Sequence, residues 1–168
     1  TSRRQPWAIP SAGGASGRES LAMILAMSLA GLCWNLHFAA VAFMTGLIWL
    51  IQLVHYPLMS EVETSRFKAF HAAHSLRITW IVGPVMGLEL VTAAFIPVVL
   101  SQSWMSFACL GLTLAVFAST AFLSVPLHGR LAQGFDPVVH HRLVLTNWPR
   151  TIAWSLHLGL CLGYPPVQ

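Results

Sequence analysis

The stretch LAMILAMSLAGLCWNLHFAAVAFMTGLIWLIQLVHYPLM, residues 21–59, is apolar almost without interruption and decides the fold class. About 20 helical residues cross the hydrocarbon core of a bilayer, so this run is too long for one span and too short for two. We therefore predict a short interfacial helix at about 20–32 and a membrane span at about 34–58. Gly31 and Asn35 mark the expected break between them.

The composition of the whole chain also points to a membrane. Hydrophobic residues make up 56% of the 168 residues and charged residues only 8%, whereas soluble domains carry about 25% charged residues. A chain of this size with so few charged residues could not present a water-facing surface. We therefore expect most of it to lie in the bilayer. The nine Lys and Arg residues are few and scattered, which argues against nucleic acid as a partner.

The rest of the chain supplies three further apolar segments. Residues 59–76 mix charged with apolar side chains at helical spacing, which predicts a helix lying on the membrane surface. Residues 21–168 are thus predicted to form one all-α domain, an integral membrane four-transmembrane-helix bundle. The spans after the first are expected at about 77–100, 104–126 and 146–163.

Residues 1–20 differ from the remainder because they are rich in Ser, Gly, Pro and Arg and have no apolar periodicity. Such a segment cannot offset its own ordering entropy. We predict an extended N-terminal tail that is flexible alone or bound by a partner. Other membrane protein subunits are the partners that we expect.

Basic residues and histidines concentrate on one side of this layout. Six of the nine Lys and Arg lie on or near the loops at 59–76 and 127–145, and loops rich in Lys and Arg stay cytoplasmic. We therefore predict a multi-pass protein of the bacterial inner (cytoplasmic) membrane with this loop face in the cytoplasm. The predicted lipid or partner face consists of His55, Arg66, Lys68, Arg77, His128, Arg130, His140, His141, Arg142 and Arg150.

Glu89 lies near the middle of the predicted second span, where a charge costs at least about 2.5 kcal/mol. This position indicates a proton carrier or a partner for a cofactor-ligating histidine; the alternative is a carboxyl that holds helices together. His157, at a similar depth in the fourth span, is the predicted partner. His37, one turn into the first span, can ligate haem iron or chlorin magnesium, or bond a carbonyl of a neighbouring helix. His37, His157 and Glu89 are thus the predicted cofactor-binding residues, with haem b or a chlorophyll-type pigment as candidate cofactors alongside lipids.

His71 and His74 are three residues apart and therefore share one face of the predicted surface helix. They could hold a metal ion if Glu61, Glu63 or Asp136 supplied an acidic third ligand. The alternative is that both histidines simply face lipid head groups.

The cysteines and the remaining motifs predict no catalytic residues. Cys33, Cys109 and Cys161 have no CxxC spacing and no zinc-like pairing with histidine, so we interpret them as small buried hydrophobes. The chain also lacks a nucleophile–base arrangement, a phosphate-cradling glycine loop and a dinucleotide fingerprint. These absences argue against a stand-alone hydrolase or nucleotide enzyme.

Two pairs of stretches resemble a family of small bacterial four-helix membrane proteins of uncharacterised function. The first pair is TGLIWLIQLVHYPLM with FHAAHSLRITWIVGPVMGLE, and the second is HGRLAQGFD with HRLVLTNWPRTIAW. The resemblance covers about residues 45–154 and implies a four-helix membrane fold. The matching positions are His55, Tyr56, Pro57, His74, Arg77, Pro84, Glu89, Asn147, Trp148, Arg150 and Thr151.

A more distant similarity links the chain to four-helix haem membrane proteins of the protoporphyrinogen-oxidase (HemJ) and CopD kind. Those proteins open with a histidine in the first span, here Leu36-His37, followed by Gly46-Leu47. The spacing to Gly46 differs by one, and the third span lacks the lysine that the group would have there. The similarity implies haem b and a redox activity.

The leading hypothesis is a non-catalytic accessory or structural subunit of a larger membrane complex, such as one for respiratory or photosynthetic electron transfer. It depends on the tail, on the absence of a catalytic constellation and on the lack of a sizeable extramembrane domain. The alternative is a haem b-binding membrane redox enzyme that uses His37, His157 and Glu89. A small transporter is the third possibility, suggested by Gly83-Pro84, Gly87 and Glu89.

Overall fold

The computed structural model describes residues 17–99 and 103–163, and every regular element in these ranges is helical. The predicted tail, up to residue 16, lies outside the described residues. Two five-residue π-helical turns, Ile51–His55 and Thr120–Ser124, join α1 to α2 and α4 to α5. The α-helices are α1 (Gly17–Leu50), α2 (Tyr56–Met59), α3 (Thr64–Val99), α4 (Trp104–Ser119), α5 (Val125–Leu131) and α6 (Pro137–Gly163).

These helices combine into four long segments that pack as a bundle. α1 continues through its π turn into α2, and α4 continues in the same way into α5. α1 packs against α3 and α6, and α4 packs against the same two helices, so the four segments close into a ring. Short connections make consecutive segments antiparallel. The described chain is therefore all-α with four long helical segments.

Three of the four segments are long and apolar enough to cross a membrane, namely Gly17–Met59, Thr64–Val99 and Trp104–Leu131. α6 is not among them by this measure of length and composition. These three segments are consistent with a multi-pass membrane protein.

Two predicted helix boundaries are wrong. α1 runs unbroken past Gly31 and Asn35, so the predicted interfacial helix at about 20–32 belongs to the same helix as the span that follows. One glycine costs a helix only about 1 kcal/mol, which the surrounding apolar helix formers outweigh. α3 is likewise continuous, so the predicted surface helix at 59–76 and the predicted second span form mostly one helix.

Both π turns have a local cause in a following proline. Pro57 and Pro126 stand two residues after the turns that end at His55 and Ser124. A proline has no N–H to donate, and its ring crowds the carbonyl group four residues earlier. A wider turn relieves that crowding, and single π turns of this kind are frequent at functional sites.

The buried core forms three layers along the bundle axis. We call the end that carries the loops at 60–63 and 132–136 the loop end, and the opposite end the far end. The loop-end layer includes Tyr56, Phe67 and Leu143. The middle layer contains Met44, Ile48, Met86, Val116 and Trp154, and the far-end layer contains Trp34, Ile96, Cys109 and Cys161.

A buried amide pair joins the first and last segments. Asn147 Nδ2 donates to Gln52 Oε1 at 2.7 Å, and both side chains are buried. We expect Gln52→Ala and Asn147→Ala to be non-additive, with a coupling free energy of about 0.6–1.7 kcal/mol. The measurement is a double-mutant cycle of reversible unfolding in mixed micelles. The exposed pair in which Ser65 Oγ donates to Glu63 Oε1 at 2.6 Å is the control, and additive effects of the buried pair would contradict the expectation.

Candidate metal centre and adjoining cavity

Four buried side chains from three helices converge near the far end of the bundle. They are His37 of α1, Cys109 of α4, and His157 and Cys161 of α6, and one ligand atom of each lies within 4.8 Å of the others. No member is more than 3% exposed. Within residues 17–99 and 103–163, this is the only group of three or more such side chains close enough to hold a metal ion.

The distances within this group suit one ion. Metal–nitrogen bonds of about 2.0–2.1 Å and metal–sulfur bonds of about 2.3 Å place the ligand atoms of a tetrahedral site about 3.3–3.8 Å apart. The two Nε2 atoms of His37 and His157 are 3.1 Å apart. Small side-chain movements are therefore enough to complete a tetrahedral two-histidine, two-cysteine site.

The hydrogen bonds of His37 direct its Nε2 lone pair into this group. Thr92 Oγ1 donates to the carbonyl oxygen of Leu88 at 2.8 Å. Because the hydroxyl proton is used there, the same oxygen accepts from His37 Nδ1–H at 2.9 Å. The proton on Nδ1 leaves Nε2 unprotonated, as a metal ligand must be.

His157 lies beside a carboxylate. Its Nδ1 is 3.4 Å from Glu89 Oε1, within ion-pair distance but without the geometry of a hydrogen bond, so the two residues that were paired from the sequence are neighbours. When His157 carries its proton on Nδ1, both Nε2 lone pairs face each other and a cation between them would bind both. In the other tautomer, His157 Nε2–H donates to His37 Nε2 at 3.1 Å. Histidines that ligate metals commonly donate their other N–H to a carboxylate or a similar acceptor.

Glu89 is retained in the interior by several donors. Its side chain is fully buried, and Trp154 Nε1–H donates to Oε2 at 3.0 Å. Thr113 Oγ1 donates to Oε1 at 3.4 Å. These contacts offset part of the cost of burying a carboxylate, and they tie α3 to α4 and α6, which carry three of the four converging side chains.

The observed packing favours a single ion over the predicted haem b or chlorophyll-type pigment. If two histidines ligated a haem iron from opposite sides, their Nε2 atoms would lie about 4 Å apart, because each iron–nitrogen bond is about 2 Å long. The observed distance of 3.1 Å between these atoms is shorter than that, and Sγ of Cys109 and of Cys161 lies within 4.8 Å of the ligand atoms of both histidines. A porphyrin would require the helices to separate.

A cavity of about 360 Å³ lies between this centre and the loop end. Trp154 forms its boundary with the centre, because the side chain lines the cavity while Nε1 bonds Glu89. Thr79, Gly83 and Val125 also line it and are exposed, so the cavity opens sideways between α3 and α5. Its lining combines apolar residues, including Met44, Ile48, Val82 and Met86, with polar residues, including Tyr56, Thr120, Ser124, His128 and Arg150.

A chain of polar contacts leads from the cavity toward the loop end. Arg150 Nη2 donates to the hydroxyl oxygen of Tyr56 at 3.5 Å, and that hydroxyl lies 3.1 Å from His128 Nε2. His128 Nδ1 lies 3.1 Å from His71 Nε2. If Tyr56 donates to His128, then His128 donates onward to His71, so three side chains could relay a proton.

The predicted metal pair His71 and His74 does not acquire a third ligand among the described residues. His71 contacts His128, while His74 stacks on His55 with ring centroids 4.0 Å apart. Asp136, one of the acids considered, instead caps α6, where its Oδ1 accepts from the N–H of Val138 at 2.8 Å.

The predicted lipid or partner face is only partly exposed, and two of its members require correction. His140 and Arg150 are buried inside the bundle, and His140 Nε2–H donates to the carbonyl oxygen of Tyr56 at 2.7 Å. His55 and His128 are half-buried. The exposed members are Arg66, Lys68, Arg77, Arg130, His141 and Arg142.

The sequence-based interpretation missed the two cysteines of this group and Thr92, the hydrogen-bond partner of His37. One signal was available, because Cys161 follows His157 by four residues and so shares its helix face. Thr92 follows Glu89 by three residues and shares its face in the same way. Cys109 stands on a different helix with no neighbouring ligand in the sequence, so only the packing of helices reveals it.

Comparison of the chain with protein-family models, with curated proteins and with solved structures gives no match. The resemblances to the two four-helix families stay predictions.

Proposed function

We propose that this chain is a metal-binding electron-transfer subunit of a membrane complex. In this proposal His37, Cys109, His157 and Cys161 hold one redox-active transition-metal ion. The observation that carries it is the convergence of four buried ligand atoms within 4.8 Å of one another. Thiolate and imidazole donors together suit copper, iron and zinc rather than magnesium or calcium.

A site with four protein ligands restricts what the ion can do. Catalytic metal sites keep a coordination position for water or substrate, whereas structural and electron-transfer sites need none. Two thiolates and two neutral imidazoles carry two negative charges, which a divalent ion balances. His37, Cys109, His157 and Cys161 would hold the ion, and a copper or iron ion there would supply one-electron chemistry between redox centres of neighbouring subunits.

The surroundings of the site favour electron transfer over a purely structural ion. Glu89 contacts His157 on one side and accepts from Trp154 on the other, so a polar link joins the ion to the adjoining cavity. Such outer partners and the burial of the site tune the potential of a bound metal. A structural zinc ion is the second candidate, because ligands from three helices would also hold the bundle together.

In this proposal, α6 is a fourth membrane span. The polar residues of α6 lower its overall hydropathy, but Asn147, Thr151 and His157 are fully buried. Ile152 and Leu156, on the outer face, are more than half exposed. A helix that turns polar side chains inward and apolar ones outward is suited to lipid even when its mean hydropathy is modest.

Orientation and partners follow the distribution of charge and exposed surface. We propose the bacterial inner membrane, with the loop end in the cytoplasm because exposed basic residues concentrate there. Residues 17–29, at the start of α1, are mostly apolar, and nearly all of their side chains are exposed. Lipids or another subunit would cover that surface.

The observed positions of the same residues fit the two other candidate functions less well. A haem-binding enzyme of the HemJ or CopD kind would require His37 and His157 to move apart. A transporter would require Glu89 to face a pathway, but its carboxylate is turned toward Trp154, Thr113 and His157.

The test is the metal content and redox behaviour of the full chain. The protein is purified in mild detergent, its metals are quantified by mass spectrometry, and its optical and paramagnetic resonance spectra are recorded oxidised and reduced. We expect one copper or iron ion per chain, with a thiolate-to-metal absorption band that one electron bleaches. One zinc ion without redox activity would support the structural candidate, and a stoichiometric Soret band the haem candidate. No metal after incubation with copper(I), iron(II) and zinc would overturn the proposal.

A further inference from the structure

Arg150 is a buried cation without a buried anion. Its side chain is 7% exposed and lines the cavity next to the metal centre. In the described part of the chain the one ion pair is between His157 and Glu89, so no carboxylate compensates Arg150. An unpaired charge in a low-dielectric interior is strongly unfavourable, so a compensating anion is expected from outside the chain.

Arg150 is positioned but not saturated by its neighbours. It donates to Tyr56 Oη at 3.5 Å, to Thr120 Oγ1 at 3.4 Å and to Asn147 Oδ1. These bonds hold the guanidinium in place against the cavity wall. A guanidinium has five N–H donors, and Nε–H of Arg150 has no partner among the described residues.

Two hydroxyl groups in the same cavity are also unpaired. Ser75 Oγ and Ser124 Oγ are buried atoms without a hydrogen-bond partner in the described chain, and both residues line the cavity. Buried polar groups are almost always paired in folded proteins. Three unpaired donors around one cavity therefore indicate a ligand that presents several acceptor oxygens.

The rest of the cavity suits an apolar tail. Met44, Ile48 and Met86 form part of its inner wall, and its mouth lies between Gly83 and Val125 on the outer surface of the bundle. In a membrane, that mouth would face acyl chains rather than water. A ligand could thus enter sideways with its polar end leading.

We propose that this cavity binds the anionic head group, a carboxylate or a phosphate, of a membrane amphiphile. Arg150 supplies the charge, Ser75 and Ser124 supply additional hydrogen bonds, and the apolar wall accepts the first part of the tail. A neutral amphiphile would satisfy the hydroxyls but leave Arg150 uncompensated. None of the four metal ligands lines the cavity, so this proposal survives if the metal centre proves wrong.

The test measures binding of defined amphiphiles to the full chain. Delipidated protein in nonionic detergent is titrated with oleate, dioleoyl phosphatidate, methyl oleate and inorganic phosphate, and complexes are counted by native mass spectrometry. We expect a one-to-one complex with oleate or phosphatidate, and methyl oleate to bind at least about 10-fold more weakly. The stronger of the two anionic amphiphiles identifies the head group.

Variants locate the site. Arg150→Gln should weaken the anionic complex about 10- to 100-fold, whereas Arg130→Gln, a change at an exposed arginine, should leave it unchanged. If Arg150→Gln does not fold, Ser124→Ala decides, with an expected loss of about 3- to 10-fold. Equal binding of methyl oleate, unchanged binding by the variant that folds, or binding of inorganic phosphate alone would each overturn the proposal.

Discussion

Replacing both sulfur donors, in the double variant Cys109→Ser with Cys161→Ser, is expected to abolish stoichiometric metal binding. Serine hydroxyls are hard, neutral donors, and they replace the soft thiolates that select copper, iron or zinc. Loss of an outer partner already costs about 10- to 100-fold in metal affinity, so the loss of two direct ligands should cost more. Metal content per chain, measured after purification and after reconstitution, checks this expectation.

The same variant should also lose the stability that the ion contributes. An ion bound at about 1,000 times its dissociation constant stabilises the folded state by about 4 kcal/mol. Removing metal from the unaltered protein with a chelator should therefore destabilise it by a similar amount, while the double variant should not respond to the chelator. The readout is unfolding in mixed micelles with and without chelator.

Cys33→Ser provides the matched control for this experiment. Cys33 lies on α1 close to the site, but its Sγ–H donates to the carbonyl oxygen of Thr92 at 3.8 Å and it is not one of the four ligands. The control variant should keep its metal and its response to chelator. Normal metal content in the double variant, or loss of metal in the control alone, would contradict the proposed ligand set.

Glu89→Gln is expected to weaken metal binding about 10- to 100-fold while leaving the bundle folded. The amide keeps the shape of the side chain and can still accept from Trp154 Nε1–H, but it removes the negative charge that faces His157 Nδ1. His157 then becomes a weaker donor to the ion. Competition with a chelator of known affinity measures the change.

For a redox-active ion, Glu89→Gln should also raise the reduction potential. A nearby negative charge stabilises the oxidised ion, which is the more positive form, so removing that charge favours the reduced ion. Potentiometric titration of the optical band measures this shift. Glu61→Gln, a change at an exposed loop residue, should alter neither affinity nor potential.

The combination of Glu89→Gln with His157→Ala tests whether the two residues act together. If Glu89 acts through His157, the double variant should bind metal no more weakly than His157→Ala alone. Additive losses would mean that Glu89 affects the site by another route. If Glu89→Gln alone changed neither the metal affinity nor the reduction potential, Glu89 would have no role in the metal centre.

The matching positions of Glu89 and His157 along their helices were predictable from the sequence. Glu89 and His157 were matched because each lies a similar distance into its apolar segment, and the structure places them 3.4 Å apart. The two predicted helix breaks failed, because the penalties for one glycine or a few charged residues are small beside the continuity of a long helix. The π turns were not foreseen, although Pro57 and Pro126 are visible in the sequence, because proline is compatible with several local responses.

What the sequence by itself determined is the all-helical class and the presence of helices long and apolar enough to cross a membrane. These properties depend on the lengths of apolar runs and on local helix propensity, which are readable along the chain. Tertiary structure alone decided which faces meet: His37 and His157 are 120 residues apart in sequence, and Cys109 stands on a third helix. The burial of Arg150 was decided in the same way.

The physical reason lies in how apolar helices pack. In a water-soluble bundle, one apolar stripe on each helix shows which face is buried. Here large apolar side chains cover the outer faces as well, for example Leu53, Phe95 and Leu156. The rotation of each helix about its axis is then set by close packing and by polar contacts between helices. A linear pattern does not contain those contacts, so the metal centre and the cavity emerge only when the four segments are assembled.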